Sequence, residues 1–210
     1  MRDLASSQKD TVFVDVGANV GQHSLFMSRY CRNIYSFEPF DAVREKLVSN
    51  MELNGITNIS VHNVGLGNRT ECLPYVAPQS VNMGTGYFVQ DGGDDDGLKL
   101  QIVKGDEYFQ DKGLENVSLV KIDVEGFEKN VLLGLQETIH RDKPCIIMEY
   151  SRRTRSSFSD ENELRSLLPP GYKIREIMTE RPLGVLFCRN NYAFADFKFN
   201  KVGVDLLLTP

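Results

Sequence analysis

Over the first 150 residues, two patterns of apolar and polar positions alternate along the chain. Short β-branched runs predict strands, and apolar residues spaced three or four apart predict the helices between them. Strands are expected at about 11–16, 33–38, 58–64, 117–124 and 145–150, and helices at about 21–31, 41–54 and 127–139. Strands that alternate with helices are typical of a mostly parallel sheet with helices on both faces, so an α/β fold is predicted.

Two segments depart from this alternation. The connection from Gly65 to about Gly105 is too long for an ordinary link between a strand and a helix, and we expect it to carry a hairpin or a lid over the substrate. Its acidic triplet, Asp94 to Asp96, is interpreted as a solvated turn because the ligand spacing of an EF-hand is absent. After Tyr150 a short helix is expected at 161–168, and strands at 172–178, 183–187 and 204–208.

Composition narrows the class of protein. The chain has 210 residues, 41% hydrophobic and 25% charged, which predicts a single domain over 1–210. The net charge of -5 lacks the basic field that attracts nucleic acid or anionic membranes. The four cysteines form no C-x-x-C pair, and no apolar run approaches the roughly 20 residues that cross a bilayer. We expect a cytoplasmic protein with a small-molecule substrate and neither nucleic acid nor membrane as partner.

A glycine-containing turn follows the first predicted strand, in the segment Asp15-Val-Gly-Ala-Asn-Val-Gly21. Glycine permits a sharp bend, and the amides at the start of the next helix are expected to face a bound carboxylate or phosphate. Glu38 lies about 20 residues further on, the spacing at which an acidic side chain accepts hydrogen bonds from ribose hydroxyls. Together these features predict a nucleoside cofactor.

The turn discriminates between two such cofactors. A dinucleotide site requires a second glycine where this chain has Asn19, and Asp15 would repel a pyrophosphate but attract the ammonium group of a methionyl moiety. The residues therefore favour S-adenosylmethionine. An NAD-dependent oxidoreductase and a non-catalytic binding module of the same fold remain as alternatives.

Carboxylates at the ends of the fourth and fifth strands are the candidate catalytic residues. Asp123, Glu125 and Glu149 are expected to lie together, with Lys121 on the same strand face as Asp123. One hypothesis is that one of the three takes the acceptor's proton or orients the acceptor. The alternative is that Lys121 forms a buried ion pair and that Glu125 or Glu128 caps the next helix. Clustered carboxylates suit Mg²⁺, but no metal is predicted.

Other polar residues near the predicted site have two interpretations each. His23, on the first turn of the first predicted helix, could reach the site and act in catalysis or could simply pack. The run of Arg152, Arg153 and Arg155 follows the fifth strand, where it could attract an acidic group of the substrate or form a solvated face.

Four sequence blocks resemble the FkbM family of class I methyltransferases. They are Asp15 to Gly21, Ser36-Phe-Glu-Pro39, Asn63-Val-Gly-Leu-Gly67 and Lys121-Ile-Asp-Val-Glu-Gly-Phe-Glu128, of which the last is the most specific. The resemblance implies a Rossmann-like fold with a seven-stranded sheet and methyl transfer to a hydroxyl of a sugar, polyketide or similar metabolite. It also implies adenine contacts near Asn63 to Gly65. The cofactor contacts expected from the motifs and the resemblance together are Asp15, Gly17, Ala18, Asn19, Gly21, Glu38, Pro39, Asn63, Val64, Gly65 and Asp123.

Overall fold

A computed structural model describes residues 1–5, 10–77, 86–89, 97–180 and 191–210. The acidic triplet Asp94 to Asp96 and the expected strand at 183–187 lie outside these ranges. The strands are β1 Val12–Val16, β2 Asn33–Phe37, β3 Ile59–His62, β4 Gly65–Gly67, β5 Glu71–Val76, β6 Tyr87–Phe88, β7 Lys99–Lys104, β8 Val117–Ile122, β9 Cys145–Tyr150, β10 Lys173–Glu180, β11 Asn191–Asp196 and β12 Val204–Thr209. The helices are α1 Arg2–Ala5, α2 Gln22–Met27, α3 Asp41–Leu53, α4 Gly105–Lys112, α5 Glu128–Gly134, α6 Gln136–Asp142, α7 Arg152–Ser157 and α8 Glu161–Ser166.

The main sheet has the strand order β11-β10-β12-β9-β8-β1-β2-β3. Its five strands from β9 to β3 run parallel, while β12 is antiparallel to both β9 and β10, and β11 is antiparallel to β10. The predicted α/β fold is confirmed, but the expected count of seven strands is wrong, because β11 adds an eighth at the edge. The sequence of β11, Asn-Tyr-Ala-Phe-Ala-Asp, lacks β-branched residues, and its two aromatic residues are outnumbered by Asn, Ala and Asp, which are depleted in strands.

Helices cover both faces of the sheet. Adjacent residues of β8 belong to separate buried clusters, Leu119 with Ala5 of α1 and Val120 with Ile139 of α6. Because successive side chains of a strand point to opposite faces, α1 and α6 lie on opposite sides of β8. In the described ranges no helix is long and apolar enough to cross a membrane.

The helix expected at 127–139 is two helices, α5 and α6, that meet at Leu135. The apolar stripe is buried as predicted, but the Asp106 carboxylate accepts hydrogen bonds from the Glu137 and Thr138 amides, at 2.8 and 3.0 Å, and so caps a new helix. Gly134 ends α5, and a Cβ there would lie 1.9 Å from the Gly67 carbonyl oxygen. The first predicted helix is also shorter than expected, since α2 ends at Met27 rather than near Cys31.

The connection from residue 65 to 105 contributes a second sheet of order β4-β7-β5-β6. Strand β5 pairs antiparallel with both β6 and β7, and β4 pairs parallel with β7. The expectation of a hairpin in this connection is therefore confirmed. Helix α4 directly after the connection, and α7 after β9, were not predicted.

Candidate active site

The turn after β1 lies tightly between two neighbouring strands. Gly17, Asn19 and Gly21 all have positive φ, at 78°, 50° and 86°. A Cβ on Gly17 would lie 1.9 Å from the backbone oxygen of Asp123, so only glycine fits between this turn and the end of β8.

Internal hydrogen bonds satisfy every backbone amide of this turn. The Gly17 and Ala18 amides donate to the Phe37 carbonyl at 3.1 and 3.0 Å, and the Gly21 amide donates to the Ala18 carbonyl. The Asn19 amide donates to Glu38, and the Val20 amide to the Asn19 side chain. The amides of the turn itself thus already have acceptors within the chain, whereas the expectation that the amides at the start of α2 face a bound carboxylate or phosphate stays a prediction.

Glu38 joins the turn to the end of β2. Its Oε2 accepts the Asn19 amide and its Oε1 accepts the Phe40 amide, both at 3.0 Å. Burial raises the pKa of Glu38, although these amide contacts partly oppose the rise. Each carboxylate oxygen retains a second lone pair, with which it can accept a hydroxyl of a ligand.

Asp15 lies beneath the turn and is fully buried. Its Oδ2 accepts a hydrogen bond from the Ser24 hydroxyl at 2.6 Å, and Ser24 in turn contacts the Ser36 hydroxyl at 2.7 Å. Oδ1 has no hydrogen-bond partner among the described residues. Asp15 thus ties β1 to α2, and its expected attraction for a ligand's ammonium group stays a prediction.

An open cleft of about 470 Å³ lies at the carboxyl ends of β1, β2 and β8. Its lining residues are Gly17, Asn19, Glu38, Pro39, Val43, Tyr75, Gly86, Phe88, Asp123, Val124 and Glu125. Six of them are site residues that the sequence predicts: Gly17, Asn19, Glu38, Pro39, Asp123 and Glu125. The other expected cofactor residues, namely Asp15, Ala18, Gly21, Asn63, Val64 and Gly65, do not line the cleft, and their contacts stay predictions.

Sequence reasoning missed the aromatic wall of the cleft. Tyr75 of β5 and Phe88 of β6 face it, and their ring centroids are 5.2 Å apart. The Tyr75 ring centroid also lies 5.5 Å from that of Phe40, and the Phe88 centroid lies 5.4 Å from that of Phe127, so the second sheet contacts the starts of α3 and α5. The one feature of the sequence that could indicate this wall is the presence of isolated aromatic residues in a segment otherwise rich in glycine and polar residues.

A strained turn after β8 positions Glu125, which lines the cleft together with Asp123. Glu125 and Gly126 have φ values of 52° and 105°, and a non-glycine residue in this region is costly. The Glu128 carboxylate holds the turn, since its Oε1 accepts the Val124 and Gly126 amides at 3.1 and 3.2 Å. Its Oε2 accepts the Thr154 hydroxyl at 2.8 Å, which links the turn to α7.

Asp123, Glu125 and Glu149 lie together, as predicted, with one oxygen of each within 4.8 Å of the others. Burial, followed by repulsion from Asp123 and Glu125, raises the pKa of Glu149 to about 7. Burial and then Asp123 also raise the pKa of Glu125. Lys121 donates to Asp123 at 2.9 Å, so the ion pair of the alternative interpretation exists beside the cluster. Carboxylates at this spacing can share a proton or bind a hard cation.

His23, Arg155 and Arg153 differ in their surroundings, and Arg152 is exposed. Burial, and then the positive charge of Lys121, lower the pKa of His23, which therefore favours the neutral form. Arg155 donates to the Phe158 carbonyl and the Asn200 side chain and lies over the Phe199 ring, so it has a structural role. Arg153 instead lies over the ring of Tyr87.

Comparisons with known proteins agree with this geometry. A family model described as the methyltransferase FkbM domain matches residues 15–179. Methyltransferase 1 of Beauveria bassiana is 28% identical over 158 residues, covering 64% of this chain and 62% of that protein. Hexuronic acid methyltransferase AglP of Haloferax volcanii is 26% identical over 136 residues, covering 65% of this chain and 54% of that protein. The chain thus spans less than two thirds of the length of these relatives.

A solved structure shares the fold. The crystal structure of methyltransferase FkbM from Methylobacillus flagellatus KT superimposes with a TM-score of 0.61 at 18% identity, covering 95% of this chain and 44% of that one. The architecture is therefore that of the Rossmann-like class I methyltransferases.

Proposed function

Because this chain belongs to the FkbM methyltransferase family, we propose that it transfers a methyl group from S-adenosylmethionine to a hydroxyl of a small acceptor such as a sugar. One observation carries the proposal: a single cleft joins the glycine turn and Glu38 at one end to a carboxylate cluster at the other. We further propose that residues 1–210 act as one methyltransferase domain in which the second sheet covers the substrate.

The cleft fits the proposed cofactor. Gly17 leaves room where any Cβ would collide with the chain, and Glu38 can accept the ribose hydroxyls with its remaining lone pairs. Pro39 and Val43 supply an apolar surface beside Glu38. NAD is disfavoured because Asn19 stands where the dinucleotide fingerprint has its second glycine.

The residues of the cleft can perform two tasks in the reaction. When bound, the cofactor supplies a sulfonium methyl group to an oxygen held in line with it. Asp123 and Glu125 can orient the acceptor by accepting its hydroxyl hydrogen bond, and the carboxylate cluster can then receive the proton. Glu149, with its pKa raised to about 7, gives the cluster a proton affinity matched to neutral pH. Tyr75 and Phe88 exclude water from one side.

Calorimetry with S-adenosylmethionine, S-adenosylhomocysteine and NAD tests the cofactor. We expect the first two to bind, and Glu38→Gln to weaken both by about 10- to 100-fold, since one charge-assisted contact contributes about 1.5–3 kcal/mol. Glu45→Gln, on the exposed side of α3, is the matched control and should change neither. Tighter binding of NAD, or no binding of the other two ligands, would overturn the proposal.

Transfer of a labelled methyl group to a panel of hydroxyl compounds tests the base. Glu149→Gln should lower kcat by about 10²- to 10⁴-fold and leave the dissociation constant of S-adenosylhomocysteine unchanged. The wild-type kcat should rise with pH up to about 7 as Glu149 loses its proton, and the variant should lack this step. An unchanged kcat in this variant would exclude Glu149 as part of the base.

A further inference from the structure

Arg153 lies just outside the lining residues of the cleft, between β6 and the turn after β8, and we call this position the rim. Its guanidinium carbon is 3.8 Å from the centroid of the Tyr87 ring, and Tyr87 stands between two lining residues, Gly86 and Phe88. On the other side Arg153 packs against Gly126, where a Cβ would lie 2.6 Å from its own Cβ. Contacts with the direct neighbours of the lining residues Phe88 and Glu125 therefore hold this side chain beside the cleft.

The guanidinium of Arg153 keeps its donors available. The side chain is exposed, and within the described part of the chain no carboxylate or carbonyl oxygen accepts a hydrogen bond from it. Stacking on a ring uses the face of a guanidinium, while the N–H groups that bind carboxylate and phosphate lie in its plane. Arg155, two residues later, uses its donors on Phe158 and Asn200.

The charges along the cleft are separated. Asp123 and Glu125 line the inner end and make it acidic, and the positive charge of Arg153 acts on Glu125 from the rim, where it partly offsets the rise in the pKa of Glu125. An anionic group would be repelled at the inner end and attracted at the rim. This pattern fits a molecule with a hydroxyl at one end and a negative charge at the other.

We propose that Arg153 binds a carboxylate or phosphate group of the acceptor and so determines its specificity. The inference rests on the proposed methyl transfer, because it assumes that the acceptor enters this cleft. It narrows the acceptor to an anionic hydroxyl compound, such as a sugar acid or a sugar phosphate, whose charged group lies at the rim while its hydroxyl reaches the carboxylate cluster.

Binding of three probes to the protein saturated with S-adenosylhomocysteine tests this inference. D-glucuronate and D-glucose 6-phosphate carry the two anionic groups, and D-glucose carries neither. At least one anion should bind about 10-fold or more tightly than glucose, and Arg153→Gln should reduce that preference to about twofold or less. Arg152→Gln removes an exposed charge from the same helix and should leave the preference intact.

The results distinguish anion recognition by Arg153 from a purely structural role of this side chain. If Arg153 only held the Tyr87 strand in place, Arg153→Gln would weaken glucose and the anions equally, and the inference would be wrong. Equal affinity for all three probes in the wild type, or no binding of either anion, would also overturn it. Whichever anion binds more tightly identifies the group recognised. Failure of S-adenosylhomocysteine itself to bind would instead count against the proposed methyl transfer.

Discussion

At the scale of single residues, both the positive φ at Gly17 and the lack of room for a Cβ require glycine at this position. We expect Gly17→Ala to lower the free energy of unfolding by about 3 kcal/mol or more, because the new Cβ would meet the Asp123 carbonyl oxygen and neither backbone segment can move freely. Gly55→Ala is the control: its φ is also positive, at 62°, but nothing lies within 4 Å of the added Cβ. It should cost only about 1–2 kcal/mol of conformational strain. Urea unfolding of both variants measures the difference, and equal losses would refute the steric argument.

Glu149 is a residue whose charge opposes folding. Its pKa rises from 4.5 to about 7 on folding, so the protonated form is favoured and the stabilisation it gives, complete below pH 4.5, is lost as pH rises through 7. The full shift corresponds to about 3 kcal/mol, which solvent screening at this half-buried site reduces to about 1–2 kcal/mol. Glu149→Gln should therefore be more stable than the wild type at pH 8 and equal to it at pH 4.

Thermal unfolding at these two pH values measures the effect. Glu115→Gln, at an exposed position, is the control and should show no such dependence. A variant less stable than the wild type at pH 8 would show that the Glu149 charge is compensated in the folded protein.

At the scale of elements, the sequence pattern predicts a helix or strand correctly where neighbouring residues determine its bounds. The bounds of β9 agree with the expectation residue for residue, because a run that is apolar except for Glu149 is followed by a polar break. The division between α5 and α6 could not be predicted, because its cause is Asp106, about 30 residues earlier in the chain. The aromatic wall of the cleft has a similar cause. Tyr75 and Phe88 reach the site through strand pairings whose register the sequence does not reveal.

Asp106 should accordingly stabilise the start of α6 from a distance. Its carboxylate accepts the amides of Glu137 and Thr138 and the Thr138 hydroxyl, the last at 2.7 Å, and the residue is buried. Asp106→Ala leaves these donors without an acceptor, and we expect it to lower the free energy of unfolding by about 1–3 kcal/mol. Asp111→Ala removes an exposed carboxylate from the same helix and should change it by less than about 0.5 kcal/mol. Comparable effects of the two substitutions in urea unfolding would contradict a capping role.

At the scale of the whole molecule, the cleft is where separate parts of the chain meet. Its lining comes from the ends of β1, β2 and β8 and from the second sheet. The aromatic residues of the second sheet contact Phe40 and Phe127 at the starts of α3 and α5. The glycine turn and Glu38 were recognisable in the sequence because they lie close together along the chain. The acidic cluster required only the rule that parallel strands end at one edge. The rim formed by Arg153 and Tyr87 joins residues 66 positions apart and could be identified only in the structure.

A ligand that contacts all of these parts should stabilise them together. S-adenosylhomocysteine at 100 times its dissociation constant should add about 2.7 kcal/mol, which for a domain of this size raises Tm by about 5–11 °C. In hydrogen exchange, amides of β5 and β6 should become protected along with those of β1 and β2, because Tyr75 and Phe88 form one wall of the same cleft. Glu38→Gln should diminish both responses. Protection confined to β1 and β2 would mean that the second sheet does not cover the bound cofactor, and its role would then be limited to the acceptor.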